Sequence, residues 1–164
     1  MNKMENGIEL KQTGLINRIL VSLGLEDGTP KSTPAEKTPL GKDVDGQHRL
    51  EDWNYRSVVG MMMYLATNSR PDNAFAVNQY CRFSNDPKRC HEKTVKRIGR
   101  YLKGTKDSGM IINQDTSLGL DLYADANFAG LFSVEDPDDP VCAKSRTGWL
   151  ITLGGVPVTW SSKL

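Results

Sequence analysis

The chain has 164 residues, of which 38% are hydrophobic and 25% charged. At about 100–200 residues per domain, this length holds one domain or two small ones. Lys and Arg number 21 against 20 Asp and Glu, a formal net charge of +1, which excludes a histone-like polycation and an acidic solvating tail but leaves room for a local patch. The longest nearly unbroken apolar run, Val58 to Ala66, is far shorter than the roughly 18 residues needed to span a bilayer. Met1 to Glu9 carries Lys3, Glu5 and Glu9 and lacks an apolar core, so it does not read as a signal peptide. The default expectation is a soluble, intracellular chain. Cys81, Cys90 and Cys142 are an odd set, which argues against a disulfide framework. Cys90-His91 lacks the second ligand pair that a structural zinc site requires, so the cysteines read as half-buried thiols on helices.

Taken in chain order, Gly14 to Gly24 reads as a short helix, with Leu15, Ile16, Ile19, Leu20 and Leu23 at helical spacing. Glu26 to Gly46 holds Pro30, Pro34 and Pro39 among its glycines. Proline removes amide donors and fixes φ, which predicts an extended linker without a core of its own. A second helix is predicted from Asp52, as N-cap, to about Asn68, with Tyr55, Val58, Val59, Met62, Leu65 and Ala66 on one stripe. Met61, Met62 and Met63 read as core filler. Pro71 opens a third helix that turns Ala74, Phe75, Val77, Asn78 and Cys81 inward. Asp86 caps and Pro87 starts a fourth helix that ends near Gly104, with His91, Val95, Ile98, Tyr101 and Leu102 as its apolar stripe. Short connections make these three helices a small bundle.

After Gly104 the period changes. Met110 to Ile112 and then Leu118, Leu120 and Leu122 read as strands separated by the turn Asp115-Thr116-Ser117. The second run alternates, with Leu120, Leu122 and Ala124 on one face and Asp121, Tyr123 and Asp125 on the other. Ala129 to Ala143 is a loop, and its acidic run, Glu135 to Asp139, lacks calcium-loop spacing and reads as solvated. Gly148 to Leu153 and Val156 to Trp160 are strands joined by a Gly154-Gly155 hairpin turn. Helices first and strands afterwards fit an α+β class or two separate units. A sheet with nothing behind it is poorly protected, so the sequence reads as a truncated product.

Two features can carry chemistry. Arg89, Lys93, Lys96, Arg100 and Lys103 recur at spacings that put them on one face of the fourth helix, with Lys88 and Arg97 beside them and Glu92 as the one offsetting acid. Like charges at this spacing repel by about 0.2–0.5 kcal/mol per pair, which a polyanion would relieve. A solvated helix face accounts for the same residues equally well. The second feature is Asp125, at the end of a strand and followed by small residues, where a carboxylate can hold Mg²⁺. A turn or cap is the commoner role for such an aspartate. The sequence has no phosphate-binding Gly-Lys loop and no Gly-x-Ser-x-Gly elbow. Only His48 in the linker and His91 on a core stripe could serve a hydrolase triad.

At these residues the sequence resembles the polyprotein of Ty1/copia-type retrotransposons. Tyr55 to Gly60, Met63 to Ala66 and Arg70-Pro71-Asp72 resemble the segment that follows the reverse transcriptase palm, and Ile98 to Thr105 resembles the next helix and turn. Tyr123 to Gly130 resembles the first strand of the RNase H domain. Lys144 to Trp149 and Gly155 to Leu164 resemble the next two strands, and Ile8 to Gln12 and Thr33 to Ala35 also fit. The resemblance implies a small helical bundle followed by an incomplete RNase H-like antiparallel sheet. It divides the chain into an extended segment and linker over 1–50, a thumb-like bundle over 51–107 and the start of an RNase H domain over 108–164. It implies a piece of an RNA-directed DNA polymerase with ribonuclease H. The partners would be an RNA–DNA hybrid or primer–template duplex and the remainder of the Pol polyprotein, with no membrane. The location would be cytoplasmic or with virus-like particles. Arg89, Lys93, Lys96, Arg97, Arg100 and Lys103 would face nucleic acid. Asp125 would be the first metal-binding carboxylate, and Asn127 stands where the family often has a second Asp. The palm aspartates and later RNase H acids would lie outside these residues. Mg²⁺ is therefore expected in the parent, and neither cofactor nor catalysis in the chain alone. A stand-alone nucleic-acid-binding module and a non-catalytic interaction domain are the competing readings.

Overall fold

The computed structural model describes residues 2–4, 7–113, 119–132 and 134–164. Its strands are β1 (Asn2–Met4), β2 (Gly7–Leu10), β3 (Met110–Asn113), β4 (Leu120–Asn127), β5 (Arg146–Leu153) and β6 (Val156–Lys163). Its helices are α1 (Thr13–Ser22), α2 (Tyr55–Asn68), α3 (Ala74–Cys81) and α4 (Arg89–Gly104), with one 3₁₀ turn at Pro71–Asn73. Two three-stranded antiparallel sheets, ordered β1-β2-β3 and β4-β5-β6, complete an α+β fold among the described residues.

One apolar core joins all four helices. Ile16, Ile19 and Leu20 of α1, Val58, Met62 and Leu65 of α2, Val77 and Tyr80 of α3, and Val95, Ile98 and Leu102 of α4 are buried in it. Met61 and Met63 rest against it beside the buried Met62. The helix read near the N-terminus therefore belongs to the bundle. Gly99 marks the close approach: a Cβ there would lie 2.7 Å from Leu23 Cδ1 and 2.9 Å from Leu25 Cδ1, so a larger residue would displace these two leucine side chains where the end of α1 meets α4.

Several local expectations shift. Asn54, not Asp52, caps α2, its side chain accepting from the Ser57 amide at 2.9 Å. Helix α4 begins at Arg89, two residues beyond Pro87, and its first turn is closed by His91 Nδ1 accepting from the Lys88 amide at 3.0 Å, with no cap from Asp86. Phe75 is 46% exposed, and Ala76 takes its place in the core. Arg146 Cζ lies 5.0 Å from the Phe75 ring centroid, so this exposed ring carries a cation. Cys142 is buried, but in the loop before β5 and not on a helix.

The strands also pair differently from a simple meander. β3 pairs with β2, Leu10 opposite Met110, so the first residues of the chain form a sheet with the segment that leaves α4. The short runs of β1 and β2 carried no alternation strong enough to announce strands. The turn expected at Asp115-Thr116-Ser117, and Leu118 with it, lies outside the described residues. The β5–β6 hairpin turns at Gly154 (φ 58°) and Gly155 (φ 74°), two left-handed residues in succession, as the Gly-Gly signal implied. β6 docks on the bundle, where Trp160 Nε1 donates to the Ala66 carbonyl at 2.6 Å. The acidic loop is docked at Glu135 and Asp139, while Asp136 and Asp138 are exposed as expected. Glu135 is buried and accepts from Arg82 at 2.6 Å and from the Lys42 amide at 3.0 Å, while Lys42 Nζ pairs with Asp139.

At the far side of its sheet β4 is exposed along its whole length, with Leu120 at 70% and Leu122 at 68%. Leu65→Ala, at a site that is fully buried, is expected to cost about 2–5 kcal/mol. Leu122→Ala is expected to stay within about 0.5 kcal/mol. Urea unfolding of the two variants beside wild type checks the contrast.

Candidate nucleic-acid interface

Helix α4 has two faces with different needs. Val95, Ile98 and Leu102 point into the core, and the cations occupy the remaining surface. The segment from Leu23 to Asn54, which has neither helix nor strand, runs along that surface and supplies partners. Arg89 donates to Gln47 Oε1 at 2.7 Å. Lys96 Nζ donates to both oxygens of Glu51 at 2.7 and 2.8 Å. Arg97 donates to Thr33 Oγ1 at 2.9 Å and lies 3.4 Å from Glu36. Lys103 Nζ donates to the Glu26 carbonyl. Lys93 is exposed and has no partner among the described residues. The Nε–H groups of Arg97 and Arg100 are buried without an acceptor. The six cations read as a nucleic-acid face thus share one helix, and four of them hold contacts within the chain.

The anchor for this segment went unread in the sequence. Glu92 is 3% exposed, and its carboxylate accepts from Arg49 Nε at 3.2 Å and from the amides of Leu50 and Glu51 at 3.2 and 3.3 Å. A buried carboxylate needs such donors, because an unpaired charge in the interior is costly. The signal available was its position, three residues before Val95 and seven before Gly99, on the buried side of the helix.

His91 is the second anchor. Its ring is fully buried and stacks on Phe83 with centroids 4.0 Å apart. Nδ1 accepts from Lys88, so Nε2 carries the proton and donates to the Gly41 carbonyl at 2.8 Å. Burial pushes the imidazole pKa down, against the opposing pull of Gly41 and nearby acids, and favours the neutral ring. A triad role for His91 is incompatible with both nitrogens being used in this way.

A third cluster joins two of the blocks that carry the resemblance. Arg70 forks onto Asp72, with Nε at 3.0 Å and a terminal nitrogen at 2.8 Å, and donates to the Thr105 carbonyl at 3.1 Å. Tyr101 donates its hydroxyl to Asp72 at 2.8 Å. Burial would raise the Asp72 pKa, but the hydrogen bonds and charge of Arg70 hold it below the usual carboxylate range. The network borders a cavity of about 370 Å³ between α4, β3 and the β5–β6 turn. Its donors are nearly all consumed internally, so it ties the end of α2 to the end of α4.

Asp125 lies in β4 opposite Gly148, exposed, with no partner among the described residues. Asp121 shares its face but is four residues away, about 13 Å along a strand. Among the described residues no group of three or more His, Cys, Asp or Glu side chains converges. One exposed carboxylate does not fit a magnesium pair, which needs several oxygen ligands held in common.

Comparison with known proteins identifies the relatives. The chain is 34% identical over 161 residues to the retrovirus-related Pol polyprotein from transposon RE1 of Arabidopsis thaliana, covering 98% of this chain and 10% of that protein. It is 33% identical over 161 residues to the corresponding polyprotein from transposon RE2 of Arabidopsis thaliana, covering 98% of this chain and 10% of that one. It is 35% identical over 161 residues to the polyprotein from transposon TNT 1-94 of Nicotiana tabacum, covering 94% of this chain and 11% of that one. The chain belongs to the Pol polyproteins of copia-type retrotransposons. It spans about a tenth of the length of these curated relatives. No family model and no solved structure matches it. No helix among the described residues is long and apolar enough to cross a membrane.

The state of His91 sets a pH dependence. The unfolded ring titrates near the ordinary value of about 6.5 and the folded ring below it. Between the two values the unfolded chain binds more protons, so stability falls as pH drops below about 6.5. His91→Phe, which keeps a ring against Phe83, is expected to lower overall stability but to flatten that decline, as urea midpoints between about pH 7 and 5 would reveal.

Proposed function

We propose that this chain is the junction of the reverse transcriptase and RNase H regions of a copia-type Pol polyprotein. On this reading α4 contacts the backbone of an RNA–DNA hybrid or primer–template duplex. Asp125 contributes one carboxylate to a magnesium-dependent nuclease site whose other ligands come from polypeptide outside these residues. The observation that carries the reading is the division of α4: one stripe buried, and a second lined by Arg89, Lys93, Lys96, Arg97, Arg100 and Lys103. Lysine and arginine spaced along a rigid rod match the regular charge of a duplex and release its counterions. Two further features support it. Lys93 is exposed with no partner among the described residues, and phosphate oxygens are strong acceptors for such a donor. β4 presents Asp125 on an open edge with small neighbours, Ala124 and Ala126, where a nucleic-acid backbone can approach.

What the chain's own residues supply on this reading is binding and positioning. The cations hold the phosphates, and Asp125 places a negative oxygen beside the scissile strand. Magnesium, when bound by the complete ligand set, would supply the activated water of hybrid cleavage.

A structural reading has its own support, in the pairing of Lys96, Arg97 and Lys103 with residues of the N-terminal segment. Salt dependence separates the two. Each phosphate contact contributes a slope of about −0.9 in log affinity against log salt, so four contacts give about −4. Hybrid binding is expected to show a slope of that order and to lose most of it when Arg89, Lys93, Lys96 and Arg100 are all changed to Ala. Absent or salt-independent binding would favour the structural role. In the same assay with Mg²⁺, the 164 residues alone are expected to leave the RNA strand intact. Cleavage that disappears in Asp125→Asn would contradict the incomplete ligand set.

A further inference from the structure

We propose that residues 26–51 form an electrostatic strap that competes with nucleic acid for the cationic face of α4. The proposal rests on the reading of α4 as a nucleic-acid contact and adds a means of regulating it.

The strap has firm ends. At one, the Lys31 amide donates to the Arg100 carbonyl at 3.3 Å. At the other, Glu92 holds Arg49, Leu50 and Glu51, the Arg89 amide donates to the Gln47 carbonyl at 2.9 Å, and His91 holds Gly41. Between Lys31 and Leu40 no backbone–backbone hydrogen bond ties it down among the described residues, although Ala35 and Leu40 rest half-buried on the core. Three prolines, Pro30, Pro34 and Pro39, keep this stretch extended along the helix.

Its acids sit where phosphates would. Both carboxylate oxygens of Glu51 accept from Lys96 Nζ, and Glu36 lies against Arg97. Of the strap's bases, Lys42 pairs with Asp139 and Arg49 with Glu92 on the buried side of α4, while Lys31 and Lys37 are exposed. Yet the cover is imperfect. Glu36 is 61% exposed and Glu51 42%, so their pairs are of the weak, solvent-screened kind. On the same helix the buried Arg97 and Arg100 Nε–H groups find no acceptor. A desolvated donor without a partner penalises the present side-chain arrangement, and a phosphate backbone toward which these guanidinium groups re-aim would replace several weak pairs at once. The firm ends need not detach; the stretch between them loosens as its side-chain pairs exchange.

The test compares two charge-matched double variants of the full chain, both checked for an unchanged melting transition. Glu36→Gln with Glu51→Gln removes the two acids that face α4. Asp45→Asn with Asp138→Asn removes the same charge at exposed residues that do not pair with the helix. With a labelled RNA–DNA hybrid as probe, the first variant is expected to bind about fivefold tighter than the second at equal salt. Equal affinities for the two variants would overturn the strap and leave the reading of α4 standing. Binding by none of the proteins would overturn that reading and the strap with it. Trypsin cleavage after Lys37 gives a second readout: it is expected to speed up on adding hybrid, and no change or a slowing contradicts release of the strap.

Discussion

Everything distinctive in this structure follows from one constraint on helix α4: it must bury an apolar stripe while carrying a dense set of cations on the rest of its surface. The stripe of Val95, Ile98 and Leu102 fastens it into a core shared with three other helices. Burial of that kind is worth far more than any surface ion pair, so the position of the cations is dictated by packing. Repulsion among them must then be met by counter-charge, from the chain or from a partner. The chain meets part of it through Glu36, Glu51 and the carbonyl of Glu26. It leaves Lys93 in solvent and two guanidinium donors unsatisfied.

The same constraint explains why a proline-rich segment without secondary structure is ordered against the bundle. Such a segment has few backbone hydrogen bonds of its own to offer. It is held by side chains of α4, chiefly the buried carboxylate of Glu92 and the buried ring of His91. Apart from the Arg49 guanidinium on Glu92, these contacts are made to main-chain groups, so they depend largely on the path of the segment. The docked loop at Glu135 repeats the device, with a buried carboxylate accepting from Arg82 and from the Lys42 amide. The linker thus bridges α4 and the loop before β5.

Much of this was legible in the sequence, and what was not has a physical cause. The helical stripes of α2 and α4 were readable because burial on one side imposes a strong period. The Gly154-Gly155 turn was readable because only glycine adopts two left-handed conformations in succession at no cost. The pairing of β2 with β3 was not, since it joins residues about a hundred positions apart and depends on the bundle having brought α1 and the end of α4 together. Glu92 and Glu135 looked like solvated charges, because a buried carboxylate is betrayed only by distant donors, Arg49 and Arg82, that no local pattern reveals. The cationic face was legible as a pattern, but its partners in the linker were not. Asp125 was legible as a strand residue, although β4 runs two residues beyond it, and the other ligands of a metal pair do not converge on it among the described residues.

The central claim, that α4 is a phosphate-binding rod partly covered by its own chain, is tested most directly by following backbone and side-chain NMR signals while an RNA–DNA hybrid is added. The account predicts that the largest shifts fall on Lys93, Lys96, Arg97 and Arg100, accompanied by those of Glu36 and Glu51. Shifts confined to the sheets, with the signals of α4 and the linker unmoved, would contradict it.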